Sequence, residues 1–190
     1  MASLNPPVCD FGWKAPDFSL PAVNFRSTEG NLVSRDMIMG KNGLLVMFIC
    51  NHCPYVKAIK TRLVVTCLEL EQYGINSIAI QSNDTVKYPD DNFERMEEEA
   101  TQNHFSFPYV LDETQEVAKA YGAVCTPDFF GFNAKGELQY RGRFDAAGRN
   151  PEPPADNTRD LFDAMKLIAE TGKGPTEQIA SIGCSIKWFE

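Results

Sequence analysis

The amino-acid sequence predicts an α/β domain whose central sheet mixes parallel and antiparallel strands. Two observations support this fold class. Short apolar runs alternate with longer amphipathic segments along most of the 190 residues, as expected for strands that alternate with helices. Towards the end of this alternation, two apolar runs flank a turn at 133–136, which indicates a β-hairpin and therefore antiparallel strands. The length fits one domain, so we expect residues 1–190 to fold as a single unit.

The amino-terminal part of the chain is predicted to contain a hairpin, a short helix and a buried strand. Residues 1–14 are expected to be extended. Apolar stretches broken by prolines and a glycine across 15–33 indicate a small β-hairpin. Ser34 is a suitable N-cap for a short helix that ends near Gly40. The run LLVMFI at 44–49 is apolar throughout and too short for a free helix, so it predicts a central strand buried on both faces.

The middle of the chain continues the alternation. A long helix is predicted because apolar residues recur at three- and four-residue spacing, at Val56, Ile59, Leu63, Cys67 and Leu70. Gly74 is expected to end this helix, and 75–80 to form the next strand. Asp90 or Asp91 is expected to cap another helix, whose acidic run at 97–99 should face solvent.

The carboxyl-terminal half adds the rest of the predicted sheet. The predicted elements are strands at 109–111, 128–132 and 138–143 and helices at 114–121 and 159–170. Thr158 is a suitable N-cap for the last helix. The proline-rich segment 145–157 is expected to be a surface loop, and 175–190 to form the carboxyl-terminal tail.

The composition disfavours several classes of function. Lys and Arg number 18 against 26 Asp and Glu, giving a net charge of −8, which disfavours nucleic acid or an anionic membrane as partner. No apolar run reaches the roughly 18 residues that a membrane helix needs. The opening residues lack the basic start and apolar block of a secretory signal, so a cytoplasmic location is expected. With two histidines, multi-histidine metal sites are excluded, and no metal or cofactor is expected.

The cysteines are the first place to look for chemistry. Six are present, and Cys50 and Cys53 form the one pair that lies close in sequence. They stand where a buried strand passes into a helix, so residues three apart face the same way and their sulfurs can meet. The amino end of a helix favours a thiolate, which is the nucleophile of thiol–disulfide exchange. A protonated His52 beside Cys50 would stabilise the thiolate further.

Two other interpretations of the pair remain open at this point. A CxxC can form half of a zinc site, although the sequence contains no second CxxC and the other cysteines are scattered. The pair could also be structural and inert in a reducing compartment. Redox chemistry is the interpretation that the pattern favours.

The chain resembles a known family over most of its length. The segments CNHCPYVKAI, DETQEVAKAYGAVCTPDFF, YRGRFD and GCSIKW are similar to the peroxiredoxin-like branch of the alkyl hydroperoxide reductase and thiol-specific antioxidant superfamily. The resemblance runs from about Ala15 to Trp188. It implies a thioredoxin fold, here a mixed sheet flanked by helices with a β-hairpin extension at the amino terminus. It also implies that the Thr126–Pro127 peptide is cis and packs beside the cysteine pair.

Site roles carried over from thioredoxins differ from those of peroxiredoxins. In the thioredoxin pattern Cys50 attacks from the exposed mouth of the pair, Cys53 resolves, and Thr126 and Pro127 shape the substrate groove. In the peroxiredoxin pattern Cys53 matches the peroxidatic cysteine, and Cys50 stands where those enzymes have threonine. The resemblance therefore implies either a thiol–disulfide oxidoreductase with a protein disulfide substrate and a cellular reductant, or a thiol peroxidase that uses Cys53.

The sequence departs from both patterns. Val46 replaces a proline of the peroxiredoxin motif, and Thr126–Pro127 stands near the place of its arginine, so the polar cradle for a peroxide is incomplete. Arg141 or Arg143 are candidate substitutes. Leu44 occupies the position of the buried acid in thioredoxins. The function expected first is thiol–disulfide exchange, then peroxide reduction; a redox-inert binding domain is the third alternative.

The other cysteines are weaker candidates. Cys67 lies on the apolar helix face and is expected in the core. Cys125 lies two residues before Pro127, so a third cysteine near the site is a candidate. No role is predicted for Cys184, and Cys9 is expected to be incidental.

Overall fold

The computed structural model describes residues 3–26 and 30–189. The helices are α1 (Arg35–Ile38), α2 (Pro54–Glu71), α3 (Phe93–Gln102), α4 (Glu116–Tyr121) and α5 (Asp160–Thr171). The strands are β1 (Ser3–Leu4), β2 (Ser19–Pro21), β3 (Leu32–Ser34), β4 (Gly43–Phe48), β5 (Ile75–Gln81), β6 (Tyr109–Leu111), β7 (Cys125–Thr126), β8 (Asp128–Asn133), β9 (Leu138–Tyr140) and β10 (Gly183–Ser185). A 3₁₀ turn at Pro89–Asp91 precedes α3. Within the described ranges, no helix is long and apolar enough to cross a membrane.

The predicted mixed sheet is confirmed. Five strands pair in the order β6-β5-β4-β8-β9. β4, β5 and β6 run parallel, whereas β8 is antiparallel to β4 and β9 is antiparallel to β8. All six residues of β4 are buried, as the apolar run predicted. The carboxyl end of this central strand therefore leads directly from the core into Cys50.

Helices cover both faces of the sheet. Because successive residues of a strand point to opposite faces, β4 contributes to two apolar clusters. Leu45 and Met47 belong to the cluster that packs under α2, α3 and α5. Leu44, Val46 and Phe48 belong to the cluster on the other face, with α4 and the strand β3. The predicted amino-terminal hairpin is formed by the antiparallel pair β2 and β3, and Ser34 caps α1 as expected.

Both ends of the chain join a second, smaller sheet that the sequence did not predict. Its strands pair in the order β1-β10-β7, and every pairing is antiparallel. β1 comes from the segment expected to be merely extended, and β10 from the expected tail. β7 is the two-residue strand just before Pro127. This sheet therefore ties both ends of the described chain to the region of the cis proline.

Two predicted N-caps are wrong. Asn92, not Asp90 or Asp91, caps α3: its side chain accepts the Arg95 N–H at 2.9 Å. Asp91 cannot serve because its carboxylate accepts backbone N–H groups of the loop before α2. In the last helix, Arg159 and not Thr158 is the N-cap residue, and no side chain caps the helix. The helix begins at Asp160, one residue later than predicted, because the backbone of Arg159 is not helical.

Other boundaries shift for local reasons. β9 ends at Tyr140 because the Arg141 N–H turns away to donate to the Gln178 side chain at 2.8 Å. The loop after β9 is largely exposed as predicted, but Asp145 at its start is buried and pairs with Arg62 at 2.9 Å. The acidic run of α3 is only partly exposed, since Glu99 pairs with Lys60 at 2.5 Å.

Candidate active site

The cysteine pair lies at the junction of β4 and α2. Cys53 is the N-cap residue of α2, and Pro54 occupies the first helical position, where the missing N–H costs little. Both thiols are free, and each shifts the pKa of the other, so the predicted approach of the two sulfurs is confirmed. The expectation that Cys50 lies at an exposed mouth is wrong. Cys50 is 1% exposed and Cys53 is 0% exposed, because the loop 51–53 and the strand β7 cover them.

The cis proline lies against this pair. The Thr126–Pro127 peptide bond is cis, as the resemblance implied. Thr126 contacts both sulfurs: its hydroxyl lies 3.4 Å from the Cys50 Sγ, and its carbonyl oxygen accepts from the Cys53 thiol at 3.0 Å. The strands β7 and β8 hold this dipeptide in place from either side. The structure therefore brings Thr126 and Pro127 to the cysteines.

His52 contacts a different partner from the one expected. Its Nδ1 lies 2.6 Å from Oδ2 of Asp91 and 3.9 Å from the Cys50 Sγ. The shorter distance is that of a strong hydrogen bond, whereas the longer one is at the outer limit for sulfur. The ring stacks on Tyr88 with 5.4 Å between centroids, and its Nε2 is buried without a partner. His52 is thus fixed mainly by Asp91 and only approaches the sulfur.

Asp91 is the site residue that the sequence analysis missed. Its carboxylate is buried and accepts hydrogen bonds from the Asn51 N–H at 2.9 Å and from the Asn83 side chain at 2.8 Å. It shapes the loop 51–53 and supplies a buried acid beside the cysteines, which Leu44 cannot do. The sequence offered only the signal of an N-cap, and 39 residues separate Asp91 from His52.

The two thiols have opposite electrostatic environments. The hydrogen bond from Cys50 lowers the pKa of Cys53, and backbone N–H groups of Val56 and Cys184 lower it further, against the effect of burial. The pKa of Cys50 is raised well above its ordinary value by the hydrogen bond to Cys53, by burial and by the charge of Asp91. These directions favour Cys53 over Cys50 as the thiol that ionises first, the reverse of the order expected from the thioredoxin pattern.

Three other cysteines, Cys67, Cys125 and Cys9, all have raised pKa values. Cys67 is buried in the core, 3.9 Å from the Met47 sulfur, as predicted. Cys125 is also fully buried; its thiol donates to the Pro127 carbonyl at 3.5 Å, and burial raises its pKa. Cys9 is half-buried rather than separate from the folded body, and burial raises its pKa to about 11.

The two candidate arginines are held by carboxylates. Arg141 is buried, pairs with Asp128 at 2.9 Å and donates to the Gly122 carbonyl at 2.8 Å. Arg143 pairs with Asp160 at 3.1 Å. Neither is aligned with the cysteine pair by any contact among the described residues, so the peroxide cradle is not completed by them.

One group of side chains could in principle bind a metal ion. Cys50 Sγ, His52 Nδ1 and Asp91 Oδ2 lie within 4.8 Å of one another. The 2.6 Å between His52 and Asp91 is a hydrogen-bond distance. Two ligands about 2.0–2.2 Å from a tetrahedral zinc would lie roughly 3.3 Å apart. The arrangement as it stands therefore fits a shared proton better than a metal ion.

Similarity to known proteins identifies the fold of this chain and its family. The fold is the thioredoxin fold: a thiol:disulfide interchange protein of the thioredoxin family from Chlorobium tepidum TLS superposes with a TM-score of 0.61 at 16% identity, covering 83% of this chain and 97% of that one. The AhpC/TSA family model matches residues 11–141. This chain belongs to the AhpC/TSA family.

Two solved structures are much more similar. An uncharacterized conserved protein from Geobacillus kaustophilus is 38% identical with a TM-score of 0.90, covering 100% of this chain and 97% of that one. A hypothetical protein from Sinorhizobium meliloti 1021 is 36% identical with a TM-score of 0.88, covering 99% of each chain. No curated protein matches the sequence. Family and fold together establish a thiol-based redox protein and leave its substrate to be proposed.

Proposed function

We propose that this protein is a thiol–disulfide oxidoreductase that exchanges electrons between its Cys50–Cys53 dithiol and a protein disulfide. One observation carries the proposal. Two neighbouring thiols with opposite pKa shifts lie at the amino end of α2 against a cis proline. One sulfur is thus prepared as a nucleophile while the other keeps its proton until it is needed.

The pKa shifts favour Cys53 as the attacking thiol. The Cys53 thiolate attacks one sulfur of the substrate disulfide, forming a mixed disulfide and releasing the other substrate sulfur as a thiolate. Cys50 then loses its proton and attacks the Cys53 sulfur, which breaks the mixed disulfide and leaves a Cys50–Cys53 disulfide. The second substrate sulfur leaves as a thiolate and takes up the proton of Cys50. A cellular thiol reductant restores the dithiol.

Access requires movement, because both sulfurs are buried. A cleft of about 310 Å³ adjoins the loop that carries His52 and is lined by polar and charged side chains from α2 and α3. This lining suits a polypeptide better than an apolar small molecule. The proposal accordingly includes a protein substrate, no cofactor, and a reducing compartment such as the cytoplasm, where the dithiol is the resting form.

The test is a thiol count combined with an activity assay. Mild oxidation should remove two free thiols, mapped to Cys50 and Cys53, and the reduced protein should catalyse reduction of insulin disulfides by dithiothreitol. Alkylation at about pH 6 should label Cys53 before Cys50. If the pair neither oxidises nor supports insulin reduction, the redox proposal fails and the redox-inert alternative stands. Bound zinc in the purified protein would contradict it equally.

A second candidate function is peroxide reduction by Cys53. The observation that favours it is the lowered pKa of Cys53 at a helix start, which matches the peroxidatic position of the family. The two candidate arginines, Arg141 and Arg143, are both held by carboxylates, which counts against it. Hydroperoxide consumption, with sulfenic acid appearing at Cys53 in Cys50→Ser, distinguishes this function from disulfide exchange.

A further inference from the structure

A third cysteine, Cys184, is placed beside Cys53 by the smaller sheet. In the pairing of β10 with β7, Cys184 stands directly opposite Thr126. Opposed Cα atoms in an antiparallel pair are about 4.5–5.5 Å apart. Since the Thr126 carbonyl lies 3.0 Å from the Cys53 sulfur, the strand register brings Cys184 close to the same sulfur.

Cys184 and Cys53 influence each other's pKa. Burial and the neighbouring Cys53 thiol raise the pKa of Cys184, and the Cys184 backbone N–H helps to lower the pKa of Cys53. Cys184 is 3% exposed and belongs to the same apolar cluster as Cys50 and Cys53. Cys53 therefore has two cysteine neighbours, Cys50 and Cys184, and both are shielded from solvent.

The neighbouring glycine explains how closely this strand approaches. A Cβ atom at Gly183 would lie 2.3 Å from the Thr126 carbonyl oxygen, a distance that real Cβ atoms do not adopt. Glycine at this position lets β10 press against Thr126, and the adjacent Cys184 is carried towards Cys53. The sequence predicted no role for the motif GCSIKW. In the structure, its glycine allows the close approach of two strands, and its cysteine supplies a thiol near Cys53.

We propose that Cys184 is a second resolving cysteine, which forms a disulfide with Cys53. The proposal rests on the proposed function, because Cys53 must first react with a substrate disulfide. In the mixed disulfide, the Cys184 sulfur attacks the Cys53 sulfur. The Cys53–Cys184 bond forms, the bond from Cys53 to the substrate breaks, and the substrate leaves as a thiolate that takes up the proton of Cys184.

The two oxidised forms that follow differ in what they link. The Cys50–Cys53 disulfide closes within the loop that leads into α2, whereas the Cys53–Cys184 disulfide joins the start of α2 to the carboxyl-terminal strand β10. Attack of Cys184 on the Cys50–Cys53 disulfide interconverts them, breaking one S–S bond, forming another and releasing Cys50 as a thiol. No external oxidant is needed for that step. After this exchange Cys53 is still oxidised, now in a disulfide with Cys184, and Cys50 is again a free thiol.

The test uses Cys50→Ser, in which the first resolving thiol is absent. The full-length variant is reduced, freed of reductant and treated with oxidised glutathione as the disulfide substrate. We expect glutathione to add to Cys53 and then to be expelled, leaving a Cys53–Cys184 disulfide identified by intact mass and by peptide mapping without reduction. In Cys50→Ser/Cys184→Ser the glutathione adduct on Cys53 should persist at least tenfold longer. Cys50→Ser/Cys125→Ser is the matched control, since Cys125 is equally buried on the paired strand, and it should behave like Cys50→Ser.

Three outcomes would overturn the proposal. An adduct that persists equally with and without Cys184, while the wild-type protein forms its Cys50–Cys53 disulfide, refutes Cys184 as a resolving thiol and leaves the proposed function intact. Loss of resolution in the Cys125 control would assign the role to Cys125 instead. No adduct in either variant and no disulfide in the wild type would refute both proposals together. Circular dichroism confirms that each variant is folded before the comparison is made.

Discussion

Cys53 and Cys67 lie on the same helix and are almost equally buried, yet their thiols differ in character. Cys53 is 0% exposed and Cys67 is 1% exposed. Burial raises the pKa of Cys67 to about 12, as expected for a thiol that has few polar neighbours. The pKa of Cys53 is lowered instead. The difference therefore does not come from exposure.

The pKa values of Cys53 and Cys67 differ because the two sulfurs have different numbers of hydrogen-bond donors nearby. At the start of α2, the Val56 N–H has no partner within the helix, and this N–H, the Cys50 thiol and the Cys184 N–H all lower the pKa of Cys53. In the middle of the helix, backbone N–H groups are already bonded to carbonyls, and the Cys67 sulfur meets another sulfur, that of Met47. A buried cysteine at the start of a helix can thus have a lowered pKa and act as a nucleophile. A buried cysteine in the interior of the same helix has a raised pKa and packs in the core.

The largest effect is expected from matched serine substitutions at these two positions. Cys53→Ser should reduce the rate of insulin disulfide reduction more than ~100-fold, because it removes the nucleophile. Cys67→Ser should retain the rate but lose ~1–3 kcal/mol of unfolding free energy, because a hydroxyl is buried among apolar groups. Initial rates and urea unfolding measure the two quantities. Equal loss of activity in both variants would show that the contrast between helix start and interior is wrong.

The next effect concerns the buried carboxylate. Asp91→Asn replaces an oxygen that accepts from His52 and Asn83 by an amide that donates, so we expect a loss of ~2–4 kcal/mol in unfolding free energy. The pKa of Cys50 should fall, since the charge of Asp91 helps to raise it. Glu98→Gln is the control: its ion pair with Arg95 is exposed, so it should change stability by less than ~0.5 kcal/mol. If Asp91→Asn changes neither the unfolding free energy nor the pKa of Cys50, this carboxylate does not organise the site.

The smallest effect is expected at His52. Its Nδ1 partly neutralises Asp91 next to the sulfurs, so His52→Ala should expose the pair to the carboxylate charge and disfavour the thiolate form. The reduction potential should fall by roughly 20–65 mV, and the pKa of Cys50 should rise. Equilibration with glutathione redox buffers measures the potential, and Lys57→Ala, on the exposed side of α2, provides the comparison. If the reduction potential of His52→Ala equals that of the wild type, His52 does not tune the cysteine pair.

The sequence predicted most of the scaffold because the signals were local. The apolar run at 44–49, the periodicity of α2 and the CNHCP motif each place neighbouring residues without reference to distant ones. The same locality explains why the predicted pair of sulfurs meets in the structure. Family resemblance added the cis Thr126–Pro127 peptide, which no local pattern would have revealed.

The parts that the sequence did not predict depend on contacts between distant segments. Asp91 has the pattern of an N-cap, and its use as a buried acceptor appears only when the 3₁₀ turn packs against the loop 51–53. Cys184 lies in a three-residue strand whose pairing with β7 leaves no periodic signal. The pKa shifts of Cys50 and Cys53 favour the opposite order of attack from the one expected, and these shifts depend on the same contacts between distant segments.

The central claim, that the thiolate of the reduced protein resides on Cys53, is tested most directly by titrating the ultraviolet absorbance of thiolate against pH. Thiolate appears as the pH rises through the pKa of the folded protein. We predict a transition well below the ordinary cysteine value of about 8.5 in the wild type. That transition should be absent in Cys53→Ser. In Cys50→Ala it should persist at a higher pH, because the donor that Cys50 provides is lost. A low transition that survives in Cys53→Ser and disappears in Cys50→Ala would contradict the account.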